Sequence, residues 1–422
     1  MRRFWLKLHL WLGLILGLWL SLIGLTGALL VFYHELEEQV HPMTFTAGSH
    51  PDGEAAFRPF GEIYAAIQKN IPEKAQFSSL YYPRTAASAW WGRYTVPAGP
   101  EAGLWYVFID PYTASVLARW QVKKEGEWFR REFSGFLYDL HYKLLLPADI
   151  GNPLVGVIAI LALASVVAGV YLWWPKKGKW HRALSFKRGA SSQRFVFDLH
   201  NLSGIYLLPV LGVVLLSGVY FNLPEQFYWV IKQLSPDTVE YYGYSIRSAP
   251  PAPGARPIGL ARAFDIARTR FPGDRPELIG NALTPDAAYR ICNKQALDVS
   301  AFADTRCVHV DQYSGEILRF SSSDSHTGGD AFARWQLPLH SGKAFGLPGR
   351  ILVLLSGLAL PVLFVTGMIR WRHKVRAEQV MRARRQPGGA SECVGLRLTS
   401  ETGKKRFHQA QPESTGAGRS PT

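Results

Sequence analysis

Between His9 and His34 the chain runs for 24 residues without a charged side chain. At about 1.5 Å of rise per residue the two histidines would stand roughly 37 Å apart along one helix. The hydrocarbon core of a bilayer is about 30 Å thick, so this is a membrane-spanning length with an imidazole near each face. Arg2, Arg3 and Lys7 ahead of it imitate a secretory signal. The run is too long for a typical signal core and no clear small-x-small site follows, so an uncleaved transmembrane helix is expected.

Three further apolar spans, about 152–174, 202–222 and 350–371, have similar lengths. Basic residues cluster before the first span, between the second and third (Lys176, Lys177, Lys179, Arg182, Lys187, Arg188 and Arg194) and after the fourth (Arg370 to Arg385). If the spans alternate, all three clusters fall on one side, as the positive-inside rule requires, and both termini are cytoplasmic. The net charge of +15 is then a topology and lipid-headgroup signal, not one for nucleic acid. The expected order is transmembrane helix 1 (1–34), an outer domain (35–150), helix 2 (151–174), a basic cytoplasmic loop (175–199), helix 3 (200–222), a second outer domain (223–349), helix 4 (350–372) and a basic tail (373–422) expected to be disordered.

Each outer segment reads as a helix followed by strands. Residues 60–71 and 258–271 carry helical spacing, and 104–120 and 307–320 read as hairpins turning at Asp110-Pro-Tyr-Thr and Asp311-Gln-Tyr-Ser-Gly. Span, outer segment, span therefore occurs twice, an internal duplication whose axis lies along the membrane normal.

The duplication lets the chain be compared with itself. KLHLWLG (7–13) aligns with DLHNLSG (198–204), which matches His9 with His200 and Gly13 with Gly204. A glycine at i+4 shares the helical face of its histidine and leaves space beside the imidazole. Gly27 and Gly218, 18 residues past their histidines, return to that face. YDLHYKLLLP (138–147) aligns with QLPLHSGKAFGLP (336–348), matching His141 with His340 just before spans two and four. Those spans also carry Ala168-Gly169 and Thr366-Gly367 near their inner ends. Two histidine pairs, one towards each face and flanked by small residues, suit the axial ligands of two non-covalent b-type haems. Iron held by two imidazoles has no open site and suits electron transfer. No C-x-x-C-H is present for covalent attachment.

Plainer readings stand beside this one. A single interfacial histidine is usually an amphipathic side chain at headgroup depth, and G-x-x-x-G patterns usually pack helices. A Zn or Cu centre at His141 and His340 stays open, although no acidic or thiolate ligands accompany them. His34 has no twin but lies on the face of Gly27, where it could contact an outer haem. His373 reads as solvated, and His41, His50, His181, His309, His326 and His408 as surface residues. Cys292 and Cys307 flank a strand region and can form a disulfide; Cys393 reads as a free thiol.

These stretches, with FIDPYTASVL, HVDQYSGEIL and PLHSGKAFGLPGR, resemble the PepSY-associated transmembrane proteins over roughly residues 5–375. The first hairpin departs from the usual D-x-Y-[ST]-G-E, with Ala114-Ser115 where Gly-Glu is expected. The resemblance implies a membrane α-helical fold of four transmembrane helices with two periplasmic α+β PepSY-like domains, in a bacterial inner membrane. It also implies, for some members, di-haem reduction of ferric siderophores, with the family's histidines mapping onto His9, His200, His141 and His340. The first expectation is therefore a haem-dependent ferric-siderophore reductase. Its cytoplasmic segments are too short for a nucleotide-binding domain, so the donor would be a membrane quinol or a separate cytoplasmic reductase. Lys143, Arg130, Arg131, Lys343 and Arg334 are candidates to attract an anionic chelate. The alternative is a non-enzymatic, membrane-tethered PepSY regulator of a periplasmic protease or sensor. A transporter is disfavoured because the spans show no intramembrane acid and no interrupted helix.

Overall fold

The structure, a computed structural model, describes residues 1–236, 238, 246–251, 253–294, 306–320 and 327–385. Met1–Met368 form one compact unit and Ile369–Thr422 a second. The second unit is helical as far as Arg385. The segment from 386 onward, part of the expected disordered tail, lies outside the described residues, as do His326, Cys393 and His408.

In chain order the first repeat comprises α1 (Arg2–Leu30), α2 (Tyr33–Val40), α3 (Pro42–Phe45), α4 (Phe60–Asn70), strands β1 (Gln76–Tyr81), β2 (Trp90–Val96), β3 (Gly103–Ile109) and β4 (Val116–Lys124), then α5 (Phe133–Lys143) and α6 (Ala148–Trp173). After the short α7 (Trp180–Ala183), the second repeat comprises α8 (Ser192–Tyr206), α9 (Leu208–Asn222), α10 (Pro224–Leu234), α11 (Leu260–Arg270), β5 (Arg275–Gly280), β6 (Tyr289–Lys294), β7 (Arg306–Val310), β8 (Ile317–Phe320), α12 (Gly328–His340) and α13 (Gly346–Arg385).

Among the described residues three helices are long and apolar enough to cross a membrane: α1, α6 and the one that includes α13. The fourth candidate is two helices, α8 and α9, bent by 62°. This corrects the expectation that no span is interrupted. The cause is Pro209, in the first turn of α9. It offers no N–H to the carbonyl of Ile205, and its ring crowds that carbonyl. At the corresponding place, nine residues past His9, α1 has Leu18 and runs straight on.

The eight strands form one antiparallel sheet in the order β4-β3-β2-β1-β5-β6-β7-β8. Each repeat supplies a four-stranded meander, and the two meet edge to edge at β1 and β5. There Ser79 faces Gly280, Leu80 faces Ile279 and Tyr81 faces Leu278. Leu80 and Ile279 occupy equivalent positions in their repeats, so the pseudo-two-fold axis passes through this pair. Joining the edges satisfies backbone groups that two separate sheets would each leave exposed.

One face of the sheet is covered by α4 and α11, whose apolar positions recur at helical spacing. Ile63, Ile67, Ala263 and Ala267 are fully buried with Leu80, Ile279, Val107 and Val308, and Phe60 stacks on Phe264 at 4.2 Å. Burying each large aliphatic side chain stabilises by roughly 1.5–3 kcal/mol, so this core spanning both repeats holds the seam. Arg275 of the second repeat also reaches Glu54 of the first at 2.8 Å. That pair is partly exposed and contributes about 0–1 kcal/mol.

In the second repeat Cys292 and Cys307 are directly opposed on β6 and β7 and form a disulfide. Their structural counterparts in the first repeat are Arg93 and Tyr106, opposed on β2 and β3.

Candidate functional site

Four histidines from four different helices meet in two pairs. His9 on α1 faces His200 on α8, with ring centres 6.2 Å apart and planes at 80°. His141 on α5 faces His340 on α12, with ring centres 6.0 Å apart and planes at 65°. Each pair takes one ring from each repeat. α5 leads out of β4, so His141 and His340 form the pair nearer the sheet; His9, near the start of α1, belongs to the far pair.

A metal–imidazole bond of about 2.0 Å, with about 1.1 Å from nitrogen to ring centre, separates two axial rings by roughly 6.2 Å. An ordinary edge-to-face aromatic contact falls in the same range, so spacing alone does not discriminate. The other ring nitrogen does. His9 Nδ1 lies 2.9 Å from the Ser165 carbonyl, and His200 Nδ1 lies 3.1 Å from the Leu363 carbonyl. His141 Nδ1 lies 2.8 Å from the Ile23 carbonyl, and His340 Nδ1 lies 2.7 Å from Ser217 Oγ. The Ser217 hydroxyl spends its own proton on the Val213 carbonyl at 2.7 Å, so it accepts from His340.

A carbonyl can only accept, so Nδ1 is the protonated nitrogen in these rings and Nε2 carries the lone pair. Donation from the second ring nitrogen to a carbonyl is how a ligating histidine is held in tautomer and orientation. A histidine that merely fills space has no need of the same anchor four times over. Burial pushes the His141 imidazole down, and pushes His340 to about 3 with the neighbouring His141 adding to the effect. Both are neutral at pH 7, the form that coordinates metal.

The glycines take parts that the repeat alignment only half described. A side chain at Gly27 would meet His141 at 2.7 Å, and one at Gly218 would come within 4.0 Å of His340. Both therefore sit beside the sheet-side pair, not beside the histidines of their own helices. The far pair packs instead on Gly169, 3.0 Å from His9, and Gly367, 3.4 Å from His200, measured from the position a Cβ would occupy. Gly13 faces open space within 4 Å, and Gly204 meets only Leu363 at 3.6 Å. The space left open at Gly13, one turn beyond His9, is a cradle that a side chain would fill. Four imidazoles in two facing pairs, each turned by its Nδ1 to an oxygen, are the donor set that two bis-histidine haems would need.

The hydroxyls of Thr26 and Ser217 escaped the sequence reading, which named Thr366 only as a small residue beside Gly367, although each directly precedes a glycine that packs on a histidine. Thr366 Oγ1 lies 2.9 Å from His200 Nδ1 and Thr26 Oγ1 lies 3.4 Å from His141 Nδ1. Ser165 Oγ, 3.1 Å from His9, breaks the sequence pattern by lying a turn earlier. The repeated hydroxyl-glycine dipeptide was the available signal.

His34 joins neither pair. It lies in α2 with its ring 3.8 Å from Tyr33, and burial together with Lys343 and Arg84 lowers it to about 3. His309 is buried rather than on the surface, because it stands in the middle of β7 between Arg290 on β6 and Arg319 on β8. His41, His50, His181 and His373 are exposed. Of the cations nominated for an anionic chelate, Arg130 and Lys143 both engage Asp139, and Arg131 engages Glu127. Lys343 is half-buried near Lys294, Arg350 and Arg84, and its ammonium is pushed down to about 8, first by desolvation and then by those cations.

A family model, that of the PepSY-associated TM region, matches residues 6–374. No curated protein matches the chain.

Proposed function

The chain belongs to the PepSY-associated TM family, and on that footing we propose that it carries electrons across a bacterial inner membrane to a periplasmic acceptor, a ferric siderophore. In this reading α1, α6, the bent α8–α9 pair and α13 are four spans with both chain ends cytoplasmic. The two halves of the sheet are PepSY-like domains in the periplasm, and each histidine pair holds one haem b.

The observation that carries the reading is the anchoring of the imidazoles: each histidine's Nδ1 is turned to an oxygen of a neighbouring helix, which leaves Nε2 for iron. Held by these imidazoles, haem would supply one-electron transfer. The protein's part is to hold four ring planes still, so that little reorganises when the charge changes. Each pair is bridged by both repeats, so neither half of the chain completes a site alone. His141 and His340 would hold the haem nearer the acceptor, and His9 and His200 the one nearer a quinol or a cytoplasmic reductase. Reduction of Fe(III) to Fe(II) weakens its hold on hard oxygen donors, so the metal is released without acid–base work at the iron.

The test is a reduced-minus-oxidised visible spectrum of the detergent-purified chain. Two b-type haems are expected, with one lost in His9→Ala or His200→Ala and the other lost in His141→Ala or His340→Ala. A colourless, folded chain would overturn the proposal and favour the regulator.

A further inference from the structure

Two acidic side chains beside the N-terminus of α5 have no place in the ligand set. Glu132 is the N-cap residue of that helix, and its carboxyl folds over Gly135, where any side chain would strike it. Glu37, on α2, accepts a hydrogen bond through Oε1 from the Ser134 backbone N–H at 3.3 Å. It therefore caps the same first turn from a different helix. Glu37 is only 7% exposed. In both residues Oε2 is buried and has no hydrogen-bond partner among the described residues. Two buried acceptor oxygens with no donor between them cost free energy unless one carries a hydrogen. A carboxylic acid supplies such a donor, and a proton on Glu132, beside the Glu37 charge that favours it, is the simplest species that relieves the site.

The surroundings hold both charge states in balance. Burial acts first and lifts Glu132 to about 7; Arg130 from the preceding segment draws its carboxyl towards ionisation, while the charges of Glu37 and Asp139 oppose that. Tyr106 of β3 faces Glu132 together with Arg130 and Arg93 of β2. Tyr138 and Lys143 of α5 complete the ring of groups through Asp139 and Arg130. Tyr33 of α2 faces Tyr106 and Tyr138.

Helix α5 ends near His141 and begins at Glu132. Nine residues at about 1.5 Å each place the carboxyl pair roughly 13 Å from the sheet-side imidazoles. At an effective dielectric of about 20, one unit of charge at that distance changes a proton affinity roughly tenfold. We propose that Glu132, packed at the start of α5 with Glu37 beside it, is a redox-linked proton site, which takes up a proton from the sheet-facing side when an electron reaches the His141/His340 pair and releases it when the electron leaves. The step balances: one electron in and one proton from water on to a carboxylate, then both out. The proton can pass to the oxygen donor freed from the reduced metal. The inference rests on the electron-transfer reading, and it names the regulation of the sheet-side site.

Two measurements on the full-length purified chain test it. Infrared spectroscopy should show a protonated-carboxyl band that titrates near neutral pH and is lost in Glu132→Gln, with Glu37→Gln shifting its midpoint. Potentiometry should show the sheet-side haem falling in potential by about 59 mV in total as pH rises through that midpoint, the equivalent of a tenfold linkage for one electron. Glu132→Gln should flatten the slope with haem content unchanged. Absence of a titrating band that Glu132→Gln removes, or an unchanged slope in that variant, would overturn the proton site. A colourless chain that keeps the titrating band would sink the electron-transfer reading and the redox link with it, while leaving the Glu132 proton in place.

Discussion

The two repeats reach the same turns by different means. In the first repeat the left-handed backbone falls on Ala114 (φ 56°), Leu144 (φ 53°) and Leu145 (φ 59°). In the second the corresponding turns use Gly315 (φ 76°), Gly342 (φ 74°) and Gly346 (φ 59°). Left-handed backbone costs an L-residue about 1–2 kcal/mol that glycine does not incur. The first repeat tolerates that cost beside His141, where Leu144 and Leu145 turn the chain from α5 into α6. Topology, not local preference, dictates these turns. The repeats also differ in reverse: the second has the broken helix and the disulfide, where the first has a straight helix and an Arg–Tyr pair.

The largest expected effect bears on the disulfide. Breaking it with Cys292→Ala and Cys307→Ala should lower stability by about 3 kcal/mol, the loop-closure value for a 15-residue separation. Hydrogen exchange in detergent should quicken in β6 and β7 and stay unchanged in β2 and β3. Equal acceleration in both halves would show that the seam makes the sheet one cooperative unit. Next come the hairpin turns. Ala114→Gly should stabilise by about 1 kcal/mol, and Gly315→Ala should destabilise by at least as much, since its Cβ would also meet Ile266 at 3.0 Å. Denaturation midpoints of the two variants moving in the same direction would break the comparison.

The smallest effect concerns a tie between the repeats. Arg350 of the second meets Glu35 of the first at 2.8 Å. Burial alone would raise the Glu35 carboxyl, but the hydrogen bonds and charge of Arg350 outweigh it and hold it at about 2. A depressed carboxyl contributes stability that is complete above its unfolded value, about 4.3, and lost as pH falls from there towards 2. Glu35 is more than a third exposed, so solvent screens the pair and the loss should be slight. Denaturation titrations between pH 5 and 2 should show a shallower acid decline in Arg350→Met; an identical decline would remove Glu35 from the account.

Much of this was legible in the residues. Helices expected at 60–71 and 258–271 stand as α4 and α11, and both hairpins stand where Asp-centred turns divide alternating runs. Those signals are local, set by hydrophobic period and turn chemistry. The seam between β1 and β5 was not legible, because edge pairing between strands some 200 residues apart leaves no mark on either strand alone. The break at Pro209 was legible in principle, since proline removes a donor wherever it falls, but an apolar count does not register it. His309 was read as exposed, and its own stretch of sequence says nothing of the strands that flank it.

The sequence by itself determined the duplication, the apolar spans and the choice of His9, His200, His141 and His340, because repetition and hydropathy are written along the chain. Only the tertiary structure decided what stands beside them. It turned each Nδ1 to an oxygen on a neighbouring helix, moved Gly27 and Gly218 to the sheet-side pair, and brought Glu37 to the helix that Glu132 begins. Such contacts depend on how helices distant in sequence are rotated and stacked. Packing sets that rotation; helical period alone leaves it undefined.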